Sequence, residues 1–380
     1  MRELYKNILE SVEIDRENNK DRHKNSRVLI IDGLNTFIRC WTSIPTLNDN
    51  GDHVGGVTGT LRSIGYAIRQ TQPSRVIVTF DGQGGSKRRK KLFPEYKANR
   101  SKSKLRINRA YNDLMNDEEE RESMKRQYVW LADILDSLPV SFMMYDSVEA
   151  DDVMAYISEQ LLKEDEQAVI MSTDKDFLQL VDEKTIIWSP TKKKIYNQKV
   201  VAEEFGLHPN NMLIYRVLDG DTSDNIPGVP GIGIKTASLL INEYDNLDNL
   251  LEKASNIKQN KRRESLIEFA DQARLSRKLV TLKEDVELPI PIKNIEIQSI
   301  DPEKLISFLK GMEFKTLTEK KAREFNLNLD EIKTEELKLE FNEKEVIKTE
   351  IKNEINFNNF ELEKYSKILN KDELKNWKKI

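Results

Sequence analysis

The chain has 380 residues, enough for two ordinary domains, and carries a net charge of −4 at pH 7. Charged residues make up 33% and apolar residues 38% of it, so we expect part of the chain to be extended or solvated rather than packed. The single Cys40 excludes a disulfide framework and a cysteine zinc site, and the lack of an apolar run of ~18 residues argues against a membrane span, so we expect a cytoplasmic protein.

The predicted strands fall in the first 200 residues, after a densely charged segment over 1–26 that we expect to be a partly helical extension. Apolar, β-branched runs predict each strand, and helical patterns such as "GTLRSIGYAIRQ" and "ADDVMAYISEQLL" lie between them. The strands are expected at 27–32, 75–81, 140–145 and 168–174, followed by a β-hairpin across the turn at 190–192. This alternation predicts an α/β fold with a mainly parallel central sheet flanked by helices.

Helical patterns replace the strands after about residue 200. The strings "NQKVVAEEFG", "PNNMLIYRVLDG" and "KTASLLINEY" each predict a helix, and a Gly- and Pro-rich stretch, "GVPGIG", joins the last two. Near the end of the chain Glu and Lys alternate with few aliphatics, which is typical of a solvated segment rather than a core. We therefore predict an α/β domain over 27–200, a helical region over 201–326 and a charged tail over 327–380.

Acidic side chains recur where predicted strands end, at the start of the helix "ADDVM", and in the loop "GDTSD" before the Gly- and Pro-rich stretch. In an open α/β sheet, ligands bind outside the carboxyl ends of the strands, so we expect these acids to converge although they are distant in sequence. The nine acids are Asp32, Asp81, Glu149, Asp151, Asp152, Asp174, Asp176, Asp221 and Asp224.

Nine carboxylates in one cleft repel one another, by ~4 kcal/mol per close pair at an effective dielectric of 20, unless cations neutralise them. Oxygen ligands without His or Cys favour Mg²⁺, with Mn²⁺ as a substitute. Because Mg²⁺ takes few carboxylates directly, nine acids indicate two ions, the arrangement that activates water in phosphodiester hydrolysis. An acid of this kind taken alone is more often a helix N-cap, and only the coincidence of the whole set favours metal binding.

The stretch "GVPGIG" between two helical segments predicts a helix-hairpin-helix turn that holds a nucleic-acid backbone. Glycines permit tight turning and a close approach of phosphate to backbone N–H groups, and the following helix directs its positive end at that phosphate. Such contact reads no bases. We also expect hairpin carbonyls to hold a monovalent cation, K⁺, against the phosphate. The predicted DNA-binding residues here are Gly228, Gly231, Gly233, Lys235 and Thr236.

The basic stretch over 86–106 contains ten Lys or Arg residues and one acid, and it directly follows the strand ending in Asp81. Such a segment attracts phosphates, and Arg88 and Arg89 are predicted DNA contacts. The ring of Tyr96 offers a face for stacking an unpaired base. Lys97 and Arg100 are spaced i, i+3, so a helix would place both beside the scissile phosphate, where they would stabilise its transition state. A solvated basic loop remains the alternative interpretation.

Six strings together resemble the 5′-nuclease family of flap endonucleases, which includes the N-terminal domain of bacterial DNA polymerase I and phage 5′–3′ exonucleases with RNase H activity. They occur in the family's order and cover roughly residues 27–245, with weaker likeness to about 325. The strings are "LIIDGLN", "VTFDG", "FPEYKANR", "VEADD", "STDKDFLQLV" and "GDTSDNIPGVPGIGIKTA".

The resemblance implies a PIN-like 5′-nuclease fold with a helical arch at about 85–125, through which a single-stranded 5′ end passes. It also implies a two-metal nuclease that removes 5′ flaps and RNA primers during replication, acting on flapped or branched DNA and on RNA–DNA hybrids. Residues matching Lys97 and Arg100 would assist hydrolysis in the arch. The first ion would belong to Asp32, Asp81, Glu149, Asp151 and Asp152, and the second to Asp174, Asp176, Asp221 and Asp224.

The chain departs from the family in its extension at 1–26 and its charged tail, and 380 residues leave no room for a polymerase domain. We therefore expect a stand-alone monomer, as in phages, that works in phage or bacterial DNA replication and is located in the cytoplasm, which is that of the bacterial host if a phage encodes it. We also expect a single-strand-binding protein as the partner of the tail. Two alternatives stay open. One is a PIN-like endoribonuclease, and the other is a non-catalytic helix-hairpin-helix DNA-binding protein.

Overall fold

The computed structural model describes residues 27–48, 51–71, 73–101, 116–136, 138, 140–163, 166–283, 286, 302–311 and 315–332. The predicted extension at 1–26, residues 102–115 of the predicted arch and residues 333–380 of the predicted tail lie outside the described residues.

A six-stranded sheet in the order β3-β2-β1-β4-β5-β6 forms the centre of the described fold. All neighbouring strands pair in parallel except β5 and β6, which form the predicted antiparallel hairpin. This arrangement confirms the predicted α/β fold with its mainly parallel sheet. The strands are β1 (Arg27–Asp32), β2 (Arg75–Asp81), β3 (Ser141–Tyr145), β4 (Gln167–Met171), β5 (Thr185–Ser189) and β6 (Lys194–Tyr196).

Thirteen α-helices occur in the part of the chain that the structure describes, and short 3₁₀ helices link some of them. The α-helices are α1 (Gly33–Ser43), α2 (Gly55–Thr71), α3 (Lys87–Leu92), α4 (Asp117–Asp136), α5 (Ala150–Lys163), α6 (Gln198–Phe205), α7 (Met212–Asp219), α8 (Ile234–Tyr244), α9 (Leu247–Glu252), α10 (Asn260–Glu268), α11 (Ala270–Val280), α12 (Pro302–Gly311) and α13 (Lys315–Glu324). The 3₁₀ helices are Ala98–Ser101, Asp176–Leu180, Pro209–Asn211 and Ala254–Asn256. None of these helices is both long and apolar enough to cross a lipid bilayer.

Successive side chains of a strand point to opposite faces of the sheet. Those of β1 are apolar on both faces, and helices cover each face. Val28 and Ile30 of β1 pack into a core with α5, whereas Leu29 and Ile31 pack into a second core with α1, α2 and α4. All four are fully buried. Each such side chain contributes ~1.5–3 kcal/mol through burial, so the continuous apolar run of β1 fixes the sheet between its two helical layers.

Helices α6 to α11 pack on the same face of the sheet as α5, whereas α12 and α13 contribute to the core on the opposite face. Val217 and Leu218 of α7, together with Leu240 and Ile241 of α8, belong to the core that contains Val28 and Ile30. One hydrophobic core therefore joins the helical region to the sheet, and it sets the position of the loop between α7 and α8 relative to the strand ends.

The strand predicted over 168–174 ends earlier than expected, at Met171. The Ser172 N–H still bonds the Trp188 carbonyl at 3.2 Å, but the chain then turns away from the sheet. The turn is stabilised locally, because the Asp174 carboxylate accepts a bond from the Asp176 N–H at 2.9 Å and leads into the 3₁₀ helix Asp176–Leu180. Polar side chains that bond their own backbone favour such turns over a continued strand.

The first residues of the predicted tail pack against the protein. Leu327, Leu329 and Ile332 contact the core that contains Leu29, and the ammonium of Lys310 donates to the Leu329 and Ile332 carbonyls, each at 2.9 Å. Up to Ile332, therefore, the aliphatic residues of this segment are used for packing.

Candidate active site

The carboxyl edge of the sheet presents Asp32 and Asp81, each at the end of its strand. The Asn35 N–H donates to Asp32 at 3.0 Å, and the Ala150 N–H donates to Asp81 at 2.7 Å. Both acids therefore cap the first turn of a helix, as the simpler interpretation of an acid after a strand expected. The helix ends hold these carboxylates at the edge of the sheet, since backbone N–H groups and the helix dipole stabilise negative charge there.

Two further acids face this pair. The pKa of Asp32 is raised to about 7 by loss of solvent and by the negative charges of Asp81 and Asp174, against the bonds it accepts from Asn35 and Ser172. The pKa of Asp151 is raised well above its ordinary value by loss of solvent and by the charges of Asp32, Asp174 and Asp81. We call Asp32, Asp81, Asp151 and Asp174 the central acid group. Hydrogen bonds join two of the four, because the Ser172 hydroxyl donates to Asp32 at 2.9 Å and accepts the Asp174 N–H at 3.1 Å.

Asp176 and Asp221 lie beside the central acid group and share one guanidinium. Arg216 of α7 contacts Asp176 through Nε and donates through Nη2 to Asp221 at 2.6 Å. Loss of solvent raises the pKa of Asp176 to about 7, the charge of Arg216 opposes that rise, and the charges of Asp174 and Asp221 add to it. Asp174 thus links this pair to the central acid group.

Glu149, Asp152 and Asp224 form a third set, which is held by basic and phenolic groups. Arg89 donates to both oxygens of Asp152 at 2.8 Å and also contacts Glu149. The Tyr96 hydroxyl lies 3.3 Å from Glu149 and 3.2 Å from Asp224. These bonds bring the third set together from segments far apart in sequence.

Lys97 is the other cation of this third set. Its ammonium contacts Glu149 and lies 3.9 Å from Asp224, and its backbone N–H donates to the Asp224 carbonyl at 2.8 Å. Desolvation acts to raise the pKa of Glu149, but the positive charges of Lys97 and Arg89 outweigh it, so this pKa lies below its ordinary value. Glu149 is therefore an ionised, neutralised carboxylate, unlike those of the central acid group.

The positions of three basic-stretch residues differ from the sequence-based expectation. Tyr96 and Arg89 are each only 3% exposed, because their polar ends bond acids inside the protein; neither presents a face for an unpaired base or a DNA strand. Lys97 has a left-handed backbone with φ of 59° and precedes the 3₁₀ helix Ala98–Ser101, so the predicted helical i, i+3 pairing with Arg100 does not occur. The side chain of Arg100 lies outside the described part, and Arg88 is partly exposed.

The Gly- and Pro-rich stretch forms a turn between α7 and α8, as predicted, but its glycines serve different purposes. A Cβ on Gly228 would lie 2.6 Å from the Asp219 carbonyl oxygen, so this glycine is required by packing. A Cβ on Gly231 or Gly233 would meet no atom within 4 Å, and both residues are exposed beside the start of α8. Lys235 is also exposed there, and Thr236 is half-buried.

Sequence reasoning missed Arg216, which is 5% exposed and neutralises Asp176 and Asp221. The available signal was an arginine inside the otherwise apolar string "MLIYRVL", a few residues before the acidic loop. A buried arginine needs a carboxylate partner, so that position in itself indicated a buried acid nearby.

The donor chemistry of the central acid group fits divalent ions. Within the described ranges, no three His, Cys, Asp or Glu side chains are grouped closely enough to form a ready-made ligand set. Mg²⁺ does not require one, because it keeps several waters and takes only one or two carboxylates directly. The repulsion that raises the pKa of Asp32 and Asp151 is the cost that a bound cation would remove.

Comparisons with known proteins cover most of the described chain. The family model described as 5′-3′ exonuclease, N-terminal resolvase-like domain, matches residues 27–206, and the model described as 5′-3′ exonuclease, C-terminal SAM fold, matches residues 207–303. A 5′-3′ exonuclease of Buchnera aphidicola is 33% identical over 280 residues, which are 72% of this chain and 92% of that protein.

A longer relative and a solved structure also match the chain. DNA polymerase I of Rhizobium leguminosarum is 32% identical over 329 residues, which are 84% of this chain and 31% of the polymerase, so the chain spans about a third of that relative. The crystal structure of a bacteriophage T5 flap endonuclease with DNA and metal ions matches with a TM-score of 0.55 and 20% identity, over 78% of this chain and 98% of that one. At this identity the match shows a shared fold.

Proposed function

Because the chain belongs to the 5′-3′ exonuclease family, we propose that it hydrolyses phosphodiester bonds with two divalent ions, Mg²⁺ or Mn²⁺, at 5′ flaps, at 5′ ends and in RNA–DNA hybrids. The observation that carries this proposal is the position of Asp174. Its backbone N–H donates to the Ser172 hydroxyl, which in turn donates to Asp32, and its carboxylate accepts the Asp176 N–H at 2.9 Å, so hydrogen bonds link Asp174 to both Asp32 and Asp176.

We assign some of the acids to direct coordination of the ions and others to contacts through water. Asp32, Asp81, Asp151 and Asp174 are the proposed direct ligands, since they carry the repulsion that a cation relieves. Glu149 and Asp152 are already neutralised by Arg89, and we assign them to the water shell of the ions, together with Asp224. Asp176 and Asp221, tied by Arg216, border the second ion. When bound, the two ions supply an activated water and stabilise the leaving oxygen.

Lys97 is the residue proposed to act on the phosphate itself. Its ammonium contacts Glu149, and the hydrogen bond from its backbone N–H to the Asp224 carbonyl holds its backbone beside the acids. A positive charge held in advance beside the reacting phosphate stabilises the charge that develops in the transition state without reorganisation. Arg100 remains a proposed second cation for the same step.

The turn between α7 and α8 is proposed to hold the duplex. Gly231 and Gly233 leave open space at the start of α8, where backbone N–H groups favour an anion, and the exposed Lys235 adds a positive charge. Thr236 and a K⁺ ion held by turn carbonyls belong to the same proposal. Since the core joins α7 to the sheet, the turn sits at a fixed distance from the acids, which would set where the substrate is cut.

Removal of RNA primers and flaps during replication is the biological role we propose, with flapped or branched DNA and RNA–DNA hybrids as substrates. The protein is proposed to work as a monomer. A single-strand-binding protein remains the proposed partner of the charged tail.

The proposal is tested by incubating a 5′-labelled flap, a nicked duplex and an RNA–DNA hybrid with Mg²⁺ and measuring product lengths on a gel. Asp174→Asn is the matched inactive variant, because it removes one charge from the centre of the acids and keeps the size of the side chain. We expect cleavage near the branch by the parent protein and none by the variant, with flap binding retained. Cleavage of unstructured RNA alone would favour an endoribonuclease, and binding without any cleavage would favour a non-catalytic protein.

A further inference from the structure

A pocket of about 560 Å³ lies outside the acids, between α3 and the C-terminal end of α11. Its volume falls within the ~300–1,000 Å³ range of small-ligand pockets. Four basic residues and two leucines are among the residues that line it. The lining includes Arg88, Leu92, Arg277, Lys278, Leu282 and Lys283.

The rim of this pocket carries more positive than negative charge. Arg277 pairs with Asp248 at 2.9 Å, and Arg88 lies 3.3 Å from Asp152. No described carboxylate lies within ion-pair distance of Lys278, which is exposed at the rim. The pocket is therefore suited to an anionic ligand.

The two leucines of the lining indicate which kind of anion would bind. Leu92 is 43% exposed, and the buried Leu282 lines the same pocket, so the lining combines apolar surface with basic side chains. Apolar surface gains free energy when a flat, apolar group covers it. Inorganic phosphate has no such group, and a duplex keeps its bases paired inside. A nucleotide of a single strand has both an exposed base and a phosphate.

The pocket lies directly behind the acids. Arg88 forms one wall and reaches back to Asp152, while the neighbouring Arg89 points inward to the same carboxylate. The backbone N–H of Lys283, another lining residue, donates to Asp152 at 2.9 Å. The pocket is therefore adjacent to Asp152 of the third set of acids.

We propose that this pocket binds a nucleotide of the single-stranded 5′ arm of the substrate, with its base on Leu92 and Leu282 and its phosphate at Arg277 and Lys278. The proposal rests on the proposed function, since it extends the path of the same substrate. It adds a binding site that makes affinity depend on the length of the single strand, because a short arm ends before the pocket.

The test uses Lys278→Glu, which reverses a charge at the rim and leaves the acids and α3 unchanged. Lys163→Glu is the matched control, because Lys163 is exposed at the last turn of α5, ~20 Å along that helix from Asp151. Melting curves first establish that both variants are folded. The KM of each protein is then measured for a flap of a single nucleotide and for a long flap, at several salt concentrations.

We expect Lys278→Glu to raise the KM for the long flap roughly tenfold and to reduce its salt dependence by about one phosphate contact, with the single-nucleotide flap and the control unaffected. Equal effects on both flap lengths would overturn the assignment to the single strand. A Lys278→Glu variant that behaves like the control on every substrate would overturn the pocket as a binding site.

A second measurement separates this proposal from the proposed function. Binding of a fluorescent single-stranded oligonucleotide to the metal-free full chain is followed by anisotropy, which requires no cleavage. If the parent protein cleaves no flap, the nuclease proposal fails, but weaker oligonucleotide binding by Lys278→Glu alone would still support the pocket. Equal binding by parent, variant and control would overturn it.

Discussion

Replacing Asp32 by Asn should stabilise the protein in the absence of metal, although it removes a proposed metal ligand. The change keeps the size of the side chain and an oxygen that can accept the Asn35 N–H bond at the start of α1. It removes one negative charge from the central acid group. The expected gain in stability follows from the raised pKa of this carboxyl.

The magnitude follows from the pKa of Asp32, which is about 7 in the folded protein and ordinarily 3.8. This difference corresponds to ~4 kcal/mol when the carboxyl is ionised. Because the folded pKa is the higher one, the folded state keeps a proton that the unfolded state releases, and stability is lost as pH rises from about 4 to about 7. Above that window the Asn variant should exceed the parent by up to ~4 kcal/mol, and near pH 4 the two should be alike.

The assay is urea unfolding of both proteins in a metal chelator, at a pH below and a pH above this window. Asp182→Asn is the control, because Asp182 caps a turn before β5, at the opposite edge of the sheet, by accepting the Lys184 N–H at 2.7 Å. Added Mg²⁺ should then stabilise the parent more than the Asp32→Asn variant at the higher pH. A gain for Asp32→Asn that is the same at both pH values, or no gain at all, would refute the reasoning.

Three further predictions concern other parts of the molecule. Lys97→Ala should lower the single-turnover cleavage rate more than flap affinity, and an unchanged rate in rapid-quench assays would remove the proposed role of its ammonium. Gly228→Ala should cost ~1–3 kcal/mol in urea unfolding because of its close packing, while Gly233→Ala should unfold like the parent; equal costs would contradict the packing argument. Truncation after Ile332 should leave a cooperatively melting protein, whereas truncation after Asn326 should lower the melting temperature, since it removes packed leucines.

Local patterns in the sequence predicted the sheet well. The bounds of β1 and β2 agree with the apolar runs, because a strand buried on both faces has a continuous apolar signal with clear ends. The convergence of Asp32, Asp81 and Asp174 also followed from the sequence, since parallel strands end at the same edge. The end of β4 did not, because a side-chain turn at Asp174 competes with the strand.

The contacts between segments that are distant in the chain could not be predicted from the sequence. Arg89 and Tyr96 belong to a basic stretch that resembles a solvated, phosphate-binding surface, yet both are buried against acids more than 50 residues away. The pocket behind Asp152 joins Arg88 to a helix end about 190 residues later in the chain. Periodicity and charge predict which residues are available for such contacts, whereas the packing of α3 on α11 decides which of them meet.

The most direct test of the account is anomalous diffraction from crystals of the full chain grown with Mn²⁺. The account predicts two Mn²⁺ ions ~3.5–4 Å apart with Asp174 beside both, and the loss of at least one of them in crystals of Asp174→Asn. Mn²⁺ bound elsewhere on the surface, or no Mn²⁺ among Asp32, Asp81, Asp151 and Asp174 at saturating concentration, would contradict it.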